Sequence, residues 1–241
     1  MFSQKENKKY WRSEKNMEID LNKKLNLIQG DCLEVLKQLP DNCVDVVITD
    51  PPYGVRKEEE WDDKEHFLEN LNEWLNQCLR VTKTGVVWFC ASSMLPKILE
   101  KYPLNYQRLL IWNKPAGSQY AGSQHNNIWY SSEMILIFKK SDEFVKKGKD
   151  SKMGYSVLNH RTIAHKEYNH PTTKPLELME ELILHYSDKG DLILDPFMGS
   201  GTTGEASLKH ERRFIGIELD ENHFKTCNLR AEKWKAQTRL F

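Results

Sequence analysis

The chain has 241 residues, enough for one large domain or two small ones with a substantial core. Its 35 Lys+Arg balance 35 Asp+Glu, so net charge names no partner. No apolar run approaches membrane-spanning length and the start, MFSQKENKKYWRSEKN, has no signal-peptide core; the five cysteines are an odd number without a CxxC pair. These features argue against a helical membrane protein and a disulfide scaffold, and for reduced thiols in the cytoplasm.

Residues 1–22 are polar and basic and read as an arm ahead of a single domain over 23–241. The first apolar run is LNLIQ (25–29), followed by a helical pattern near 31–39 and a second run, VDVVIT (44–49), which stops at Asp50-Pro51-Pro52-Tyr53. Residues 56–69 then hold seven acids against three bases, ahead of a helix near 65–81, a strand at 85–91 and a helix near 94–102. The runs at 108–112 and 134–138 are joined without a convincing helix, which predicts an antiparallel pair at one edge. Residues 139–174 hold nine bases against four acids, and 139–170 shows little apolar periodicity, so it reads as a small excursion from the sheet. A helix near 175–187, a strand at 191–194, a helix near 202–210, a strand at 213–217 and a helix near 221–236 complete the chain. The alternation predicts an α/β fold: a doubly wound, mostly parallel, Rossmann-like sheet of seven strands with helices on both faces. There is no internal repeat and no low-complexity tract.

Four stretches carry chemistry. In ITDPPYGV (48–55) a buried-looking strand delivers a carboxylate onto a Pro-Pro turn that cannot donate to a sheet ladder, with an aromatic ring beside it. In LILDPFMGSGTTGEASL (192–208) a strand ends at Asp195 and a turn with Gly199 and Gly201 leads into a helix near Thr202. Glycines there let a ligand approach the backbone, but the spacing is neither GxGxxG nor GxxxxGK[ST], so a phosphate is not the first choice. Glu218 ends the next strand, 23 residues after Asp195, where a carboxylate can accept from ribose hydroxyls. In HPTTKP (170–175), Pro175 suits the first turn of the following helix and Thr172 or Thr173 its cap, with Lys174 beside an anion-binding helix start. Ordinary strand–turn–helix glycines, a turn with a surface tyrosine, and an Asp31 that only caps a helix are the bland alternatives for each stretch taken alone.

Together these pieces resemble the amino-methylating DNA methyltransferases that use S-adenosylmethionine. DPPY resembles the catalytic motif of that family and DPFMGSGTT its donor motif. Their order here, DPPY before HPTTKP, DPFMGSGTT and FIGIE, resembles the circularly permuted β class, over residues from about 25 onward. The resemblance implies catalytic roles for Asp50, Pro51, Pro52 and Tyr53. The Asp50 side chain and the Pro51 carbonyl would accept from an exocyclic amine and Tyr53 would stack on its base. It implies a donor site of Asp31, Cys32, Asp50, Thr173, Lys174, Asp195, Pro196, Phe197, Gly199, Ser200, Gly201, Thr202, Thr203 and Glu218. In that site Asp31 would meet the adenine amino group, Glu218 the ribose, and the 195–203 loop with Lys174 the methionine moiety.

The expected substrate is double-stranded DNA with a flipped adenine, modified at N6. Cytosine N4, an RNA substrate, or a non-catalytic nucleic-acid module are the alternatives, and the absence of a Pro-Cys pair disfavours carbon-5 chemistry. Residues 54–66, with Glu60-Trp61-Asp62, would gate the site, or Trp61 would simply cover the core. Phosphate contacts are expected from Lys114, Lys139, Lys140, Lys146, Lys147 and Arg161, within the 114–131 loop and the basic segment, although a charged loop can be merely solvated. His160, His165 and His170 recur every five residues, a poor metal spacing, and no metal is expected. Only some thirty residues precede HPTTKP for target recognition, where the family usually carries more. A short target, weak specificity or a second subunit follows, so a homodimer is open, as is a partner restriction nuclease.

Overall fold

The computed structural model describes residues 19–53, 64–102, 105–115, 131–142, 148, 150–162 and 173–237. In chain order the elements are β1 (Leu25–Gln29), α1 (Cys32–Leu36), β2 (Val44–Thr49), α2 (Lys64–Val81), β3 (Thr82–Cys90), α3 (Leu95–Lys101) and β4 (Tyr106–Asn113). Then come β5 (Ser132–Lys139), β6 (Val157–Asn159), α4 (Leu176–Tyr186), β7 (Leu192–Asp195), α5 (Thr202–Lys209), β8 (Arg213–Glu218) and α6 (Glu221–Gln237).

The strands form one sheet in the order β1-β8-β7-β2-β3-β5-β4-β6. β5 runs antiparallel to both β3 and β4, and every other neighbouring pair is parallel. The expected antiparallel pair is present, and among the described residues the sheet has eight strands rather than seven. The extra one, Val157–Asn159, lies inside the segment expected to leave the sheet and pairs with Ile111–Asn113 at the edge. Its Leu158 and the nearby Met153 are buried, which anchors that part of the basic segment to the core.

Runs apolar on both faces, such as VDVVIT and LILD, belong at the centre of a sheet covered on two sides, and β2 and β7 sit there. Helices α1, α2 and α3 pack on one face around Leu36, Leu75 and Ile98; α4, α5 and α6 pack on the other around Leu182, Ala206 and Ala231. The chain therefore leaves β2 toward one face and β7 toward the other. That makes the β2–β7 junction a topological switch point, where the loops part and leave a crevice outside the carboxyl ends of the strands. No helix of the described residues is long and apolar enough to cross a membrane. All five cysteines are free.

Candidate active site at the switch point

β2 ends in Thr49, whose hydroxyl is fully buried and donates to Asp195 Oδ1 at the end of β7, 2.8 Å away. Thr203 Oγ1 donates to Asp195 Oδ2 at 2.6 Å, and the Phe197 amide donates to Oδ1 at 3.1 Å. Only 2% of Asp195 is exposed, and this carboxylate, expected among the donor-site residues, ties the two central strands to the start of α5. Burial pushes its carboxyl up to about 6, against the pull of the Thr203 and Thr49 hydroxyls.

The loop after Asp195 turns with Gly199 at φ 50° and Gly201 at φ 82°, the left-handed region that glycine tolerates. Behind Gly201 there is no room for a side chain: an added Cβ would lie 2.5 Å from Cys227 Sγ and 2.8 Å from Trp234 Cη2 of α6. Arg230 of α6 donates to the Ser200 carbonyl and to Glu205, clamping the loop from outside; sequence reasoning missed it. Glu218, at the tip of β8, accepts from the Gly199 amide at 2.9 Å and from the Asp220 amide at 2.8 Å. Asp31 follows β1, the strand beside β8, and its Oδ1 accepts from the Leu33 and Glu34 amides at 2.8 and 3.1 Å, capping α1. Cys32 begins that helix and is buried. Two carboxylates on neighbouring strand tips beside a glycine turn fit a nucleoside's hydroxyls and amine, and each carboxylate retains lone-pair capacity beyond its backbone bonds, Asp31 on its other oxygen. Pro196, Ser200, Thr202 and Thr203 are buried in the loop's base, and Phe197 packs edge-on against Trp74 with ring centroids 5.0 Å apart.

Pro175 occupies the cap position of α4 rather than its first turn, and Thr173 does not cap it. The Thr173 hydroxyl donates to Ser200 Oγ at 3.2 Å instead, which draws the segment before α4 onto the glycine loop. Lys174 departs further from expectation. It is only 7% exposed and donates to Asp50 Oδ2 and, at 3.1 Å, to Glu133 Oε2, which places it between two carboxylates of the chain itself. Phe89, Tyr53 and Trp112 present ring faces to it, with centroids 5.1, 5.6 and 5.9 Å from Nζ.

Asp50 stands just past β2, at the switch point, with Pro51 and Pro52 fixing the turn. Oδ1 accepts from the Tyr53 hydroxyl and Oδ2 from Lys174. Burial raises the Asp50 carboxyl, Lys174 opposes it, Glu133 adds to it, and the net direction is up. The Tyr53 phenol is pushed well up, by burial first and the Asp50 charge next, so it stays a donor. Glu133, at the head of β5, was not singled out from sequence. It accepts from Lys114 at 2.6 Å, and Lys114 lies over the Trp112 ring at 4.7 Å. A signal existed: Lys114 follows β4 and Glu133 opens β5, and antiparallel neighbours bring those ends together.

That pairing corrects one expected phosphate contact, because Lys114 is 8% exposed and points inward. Lys139 and Lys140 are displaced for another reason. β5 is antiparallel, so Lys139 sits opposite Gly85 at the amino end of β3, about 17 Å of strand from the carboxyl end. There Lys140 Nζ caps the Arg80 and Thr82 carbonyls and Lys139 pairs with Asp142. Arg161 is exposed just beyond β6, which runs parallel to β4, and so lies on the Asp50 side of the sheet. His160 beside it bonds Glu181 at 2.7 Å. Lys146, Lys147, the Glu60-Trp61-Asp62 element, most of the 114–131 loop, Thr172, His165 and His170 lie outside the described residues.

Residues 44–229 match the DNA methylase family N6_N4_Mtase. The type II methyltransferase M2.MboI of Moraxella bovis is 30% identical over 231 residues, covering 82% of this chain and 84% of that protein. The DNA adenine methyltransferase YhdJ of Escherichia coli K12 is 28% identical, over 85% of this chain and 81% of that one. Among solved structures, the complex of M1.HpyAVI with SAM superposes with a TM-score of 0.67 at 28% identity, over 86% of this chain and 98% of that one.

Proposed function

The chain belongs to the N6_N4_Mtase family of DNA methylases, and from that premise we propose that it methylates N6 of an adenine turned out of double-stranded DNA. The observation that carries this reading is Asp50: a carboxylate held at the switch point by a Pro-Pro turn, beside the glycine loop and two strand-tip acids. The adenine choice follows the DPPY form of the turn and the name of the relative YhdJ. The methyl donor of the reading is S-adenosylmethionine, and the residues present fit it. Gly199 and Gly201 leave a side-chain-free turn, and Glu218 and Asp31 offer acceptors on adjacent strand tips.

When bound, that donor supplies an electrophilic methyl group on a sulfonium. The rest of the work falls to the chain's own residues. An exocyclic amine is a weak nucleophile because its lone pair is delocalised into the ring. The Asp50 carboxylate and the Pro51 carbonyl accept from its two N–H bonds and so favour the pyramidal form. Tyr53 stacks on the base. The turn cannot relax away from this geometry, so positioning and preorganised acceptors provide the rate enhancement. The carboxyl of Asp50, raised by burial, is suited to receive the proton that the methylated amine releases. Extruding the base costs a few kcal/mol, roughly, which stacking and pocket contacts offset.

The reading sets this chemistry in the cytoplasm. The short recognition segment supports a second subunit in DNA binding, and the type II relative supports a partner restriction nuclease. The test is transfer of labelled methyl to duplex DNA and to RNA, followed by nucleoside analysis. N6-methyladenine is the expected product. N4-methylcytosine would overturn the choice of base, and incorporation into RNA alone would overturn the choice of polymer.

A further inference from the structure

The buried charge cluster around Asp50 contains one acid more than the transfer needs. Both Asp50 oxygens are already taken, one by the Tyr53 hydroxyl and one by the Lys174 ammonium. Each oxygen keeps a further lone pair, but one already shared with a phenol or an ammonium is a weaker acceptor. Asp50 therefore accepts best from a target amine when one of those donors shifts away, and a buried ammonium released without a partner is strongly disfavoured. Each donor has a second acceptor in reach, and it is the same atom. Glu133 Oε2 lies 3.1 Å from Lys174 Nζ and 3.3 Å from the Tyr53 hydroxyl. The other Glu133 oxygen is committed to Lys114 at 2.6 Å.

We propose that Glu133 is a positioning residue of the transfer step: its carboxylate takes up Lys174 and the Tyr53 hydroxyl when Asp50 turns to the amine. This rests on the methyltransferase reading above. Two lysines and two acids make the cluster neutral, so the exchange moves hydrogen bonds without creating an unpaired charge. The ring faces of Phe89, Tyr53 and Trp112 hold Lys174 between the two carboxylates, so the handover needs little movement. Glu133 is suited to the part of a constant counter-charge. Burial pushes its carboxyl up, but Lys174 and Lys114 bring it down to about 2, whereas Asp50 is raised. Among the described residues, the other titratable groups facing the cluster are Cys90 of β3, which burial pushes up to about 12 and keeps neutral, and Asp195 of β7, at about 6.

The experiment is single-turnover methyl transfer against pH for the full chain, Glu133→Gln and Glu133→Asp, with donor affinity and thermal unfolding measured alongside. In Glu133→Gln, Asp50 becomes the sole carboxylate for Lys174 and holds it more tightly. The rate at neutral pH should fall about tenfold, the equivalent of one pKa unit. The acid limb governed by Asp50 should move to lower pH, because the charge that raised it is gone, while donor affinity changes little. Any limb from Asp195 stays where it was. Glu133→Asp, which keeps the charge, should recover part of the rate and leave the limb in place. A Glu133→Gln rate within about twofold of the parent, together with an unmoved limb, overturns the inference, since so small a change leaves Asp50 as it was. So does a Glu133→Asp variant as slow as Gln. If Glu133→Gln does not fold, Glu133→Asp decides alone: a displaced acid limb there overturns the inference. Failure of the unmutated chain to methylate any nucleic acid would instead bring down the reading on which this one rests.

Discussion

At the scale of single residues, two donors share one carboxylate. The Tyr53 phenol and the Lys174 ammonium each hold one of the Asp50 oxygens that the proposed function assigns to the target amine. Asp50→Ala removes the acceptor and should lower methyl transfer about 10²-fold or more, the scale of one preorganised electrostatic contact, while calorimetry shows donor binding retained. Tyr53 has a ring and a hydroxyl to lose separately. Tyr53→Ala should cost about ten- to a hundredfold in rate, the worth of one base stack, and Tyr53→Phe or Tyr53→Trp much less. A Phe variant as slow as Ala would transfer the role from the ring to the hydroxyl's bond with Asp50. Asp50 was legible in the sequence because two prolines after a buried strand leave few structural purposes for an acid. Glu133 was not, because its meaning depends on Lys114 and Lys174, 19 and 41 residues away, and only the sheet brings them together.

At the scale of elements, the glycine loop is shaped from behind as much as from the ligand side. Gly201→Ala forces a methyl against Cys227 and Trp234 at a positive φ. It should lower stability by about 1–3 kcal/mol in urea melts and weaken donor binding with it. Asp195, which joins β2, β7 and α5, gives the loop's base a pH dependence. Its folded carboxyl, near 6, holds a proton more firmly than the unfolded value of 3.8 allows. Its favourable contribution is therefore full below the unfolded value and is lost as pH rises through 6. Relative to the parent, Asp195→Asn should gain on the order of 2–3 kcal/mol between acid and neutral pH, at about 1.4 kcal/mol for each tenfold difference in proton affinity. Urea melts at the two ends of that window check it, and a pH-independent difference would mean the carboxyl ionises freely. The same acid shows where pattern reading stops. A strand-end aspartate before glycines reads as a ligand contact, and the pattern does not show that Thr49 and Thr203 also enclose it. Seven strands were legible from their apolar runs. Val157–Asn159 was not, because three residues in a charged stretch are too few to show a period.

At the scale of the whole molecule, strand direction assigns the basic residues beside β5 and β6 to opposite ends of the sheet. Arg161 lies on the Asp50 side, whereas Lys139 and Lys140 lie at the opposite end. Arg161→Ala should weaken binding to duplex DNA and reduce the slope of log K against log salt by about 1, one phosphate contact's worth. Lys139→Ala should leave both unchanged. Titrations at several salt concentrations separate the two. Charge counts alone could not make this distinction, because residues 139–174 form one basic block in sequence and divide between two ends only when β5 reverses direction.

The strand order also sets a timetable for synthesis. Among the described residues β1 pairs only with β8, so the earliest of these strands in the chain finds its seat only when the latest of them has followed. β2, β3, β5 and β4 can pair among themselves earlier. A growing chain therefore assembles the turn that presents Asp50 well before Asp31 and Glu218 are brought side by side. Such closure between distant segments is slow, and it comes after the local pairings are made. A chain cut short before β8 is thus expected to form the Asp50 turn without the paired Asp31 and Glu218 tips.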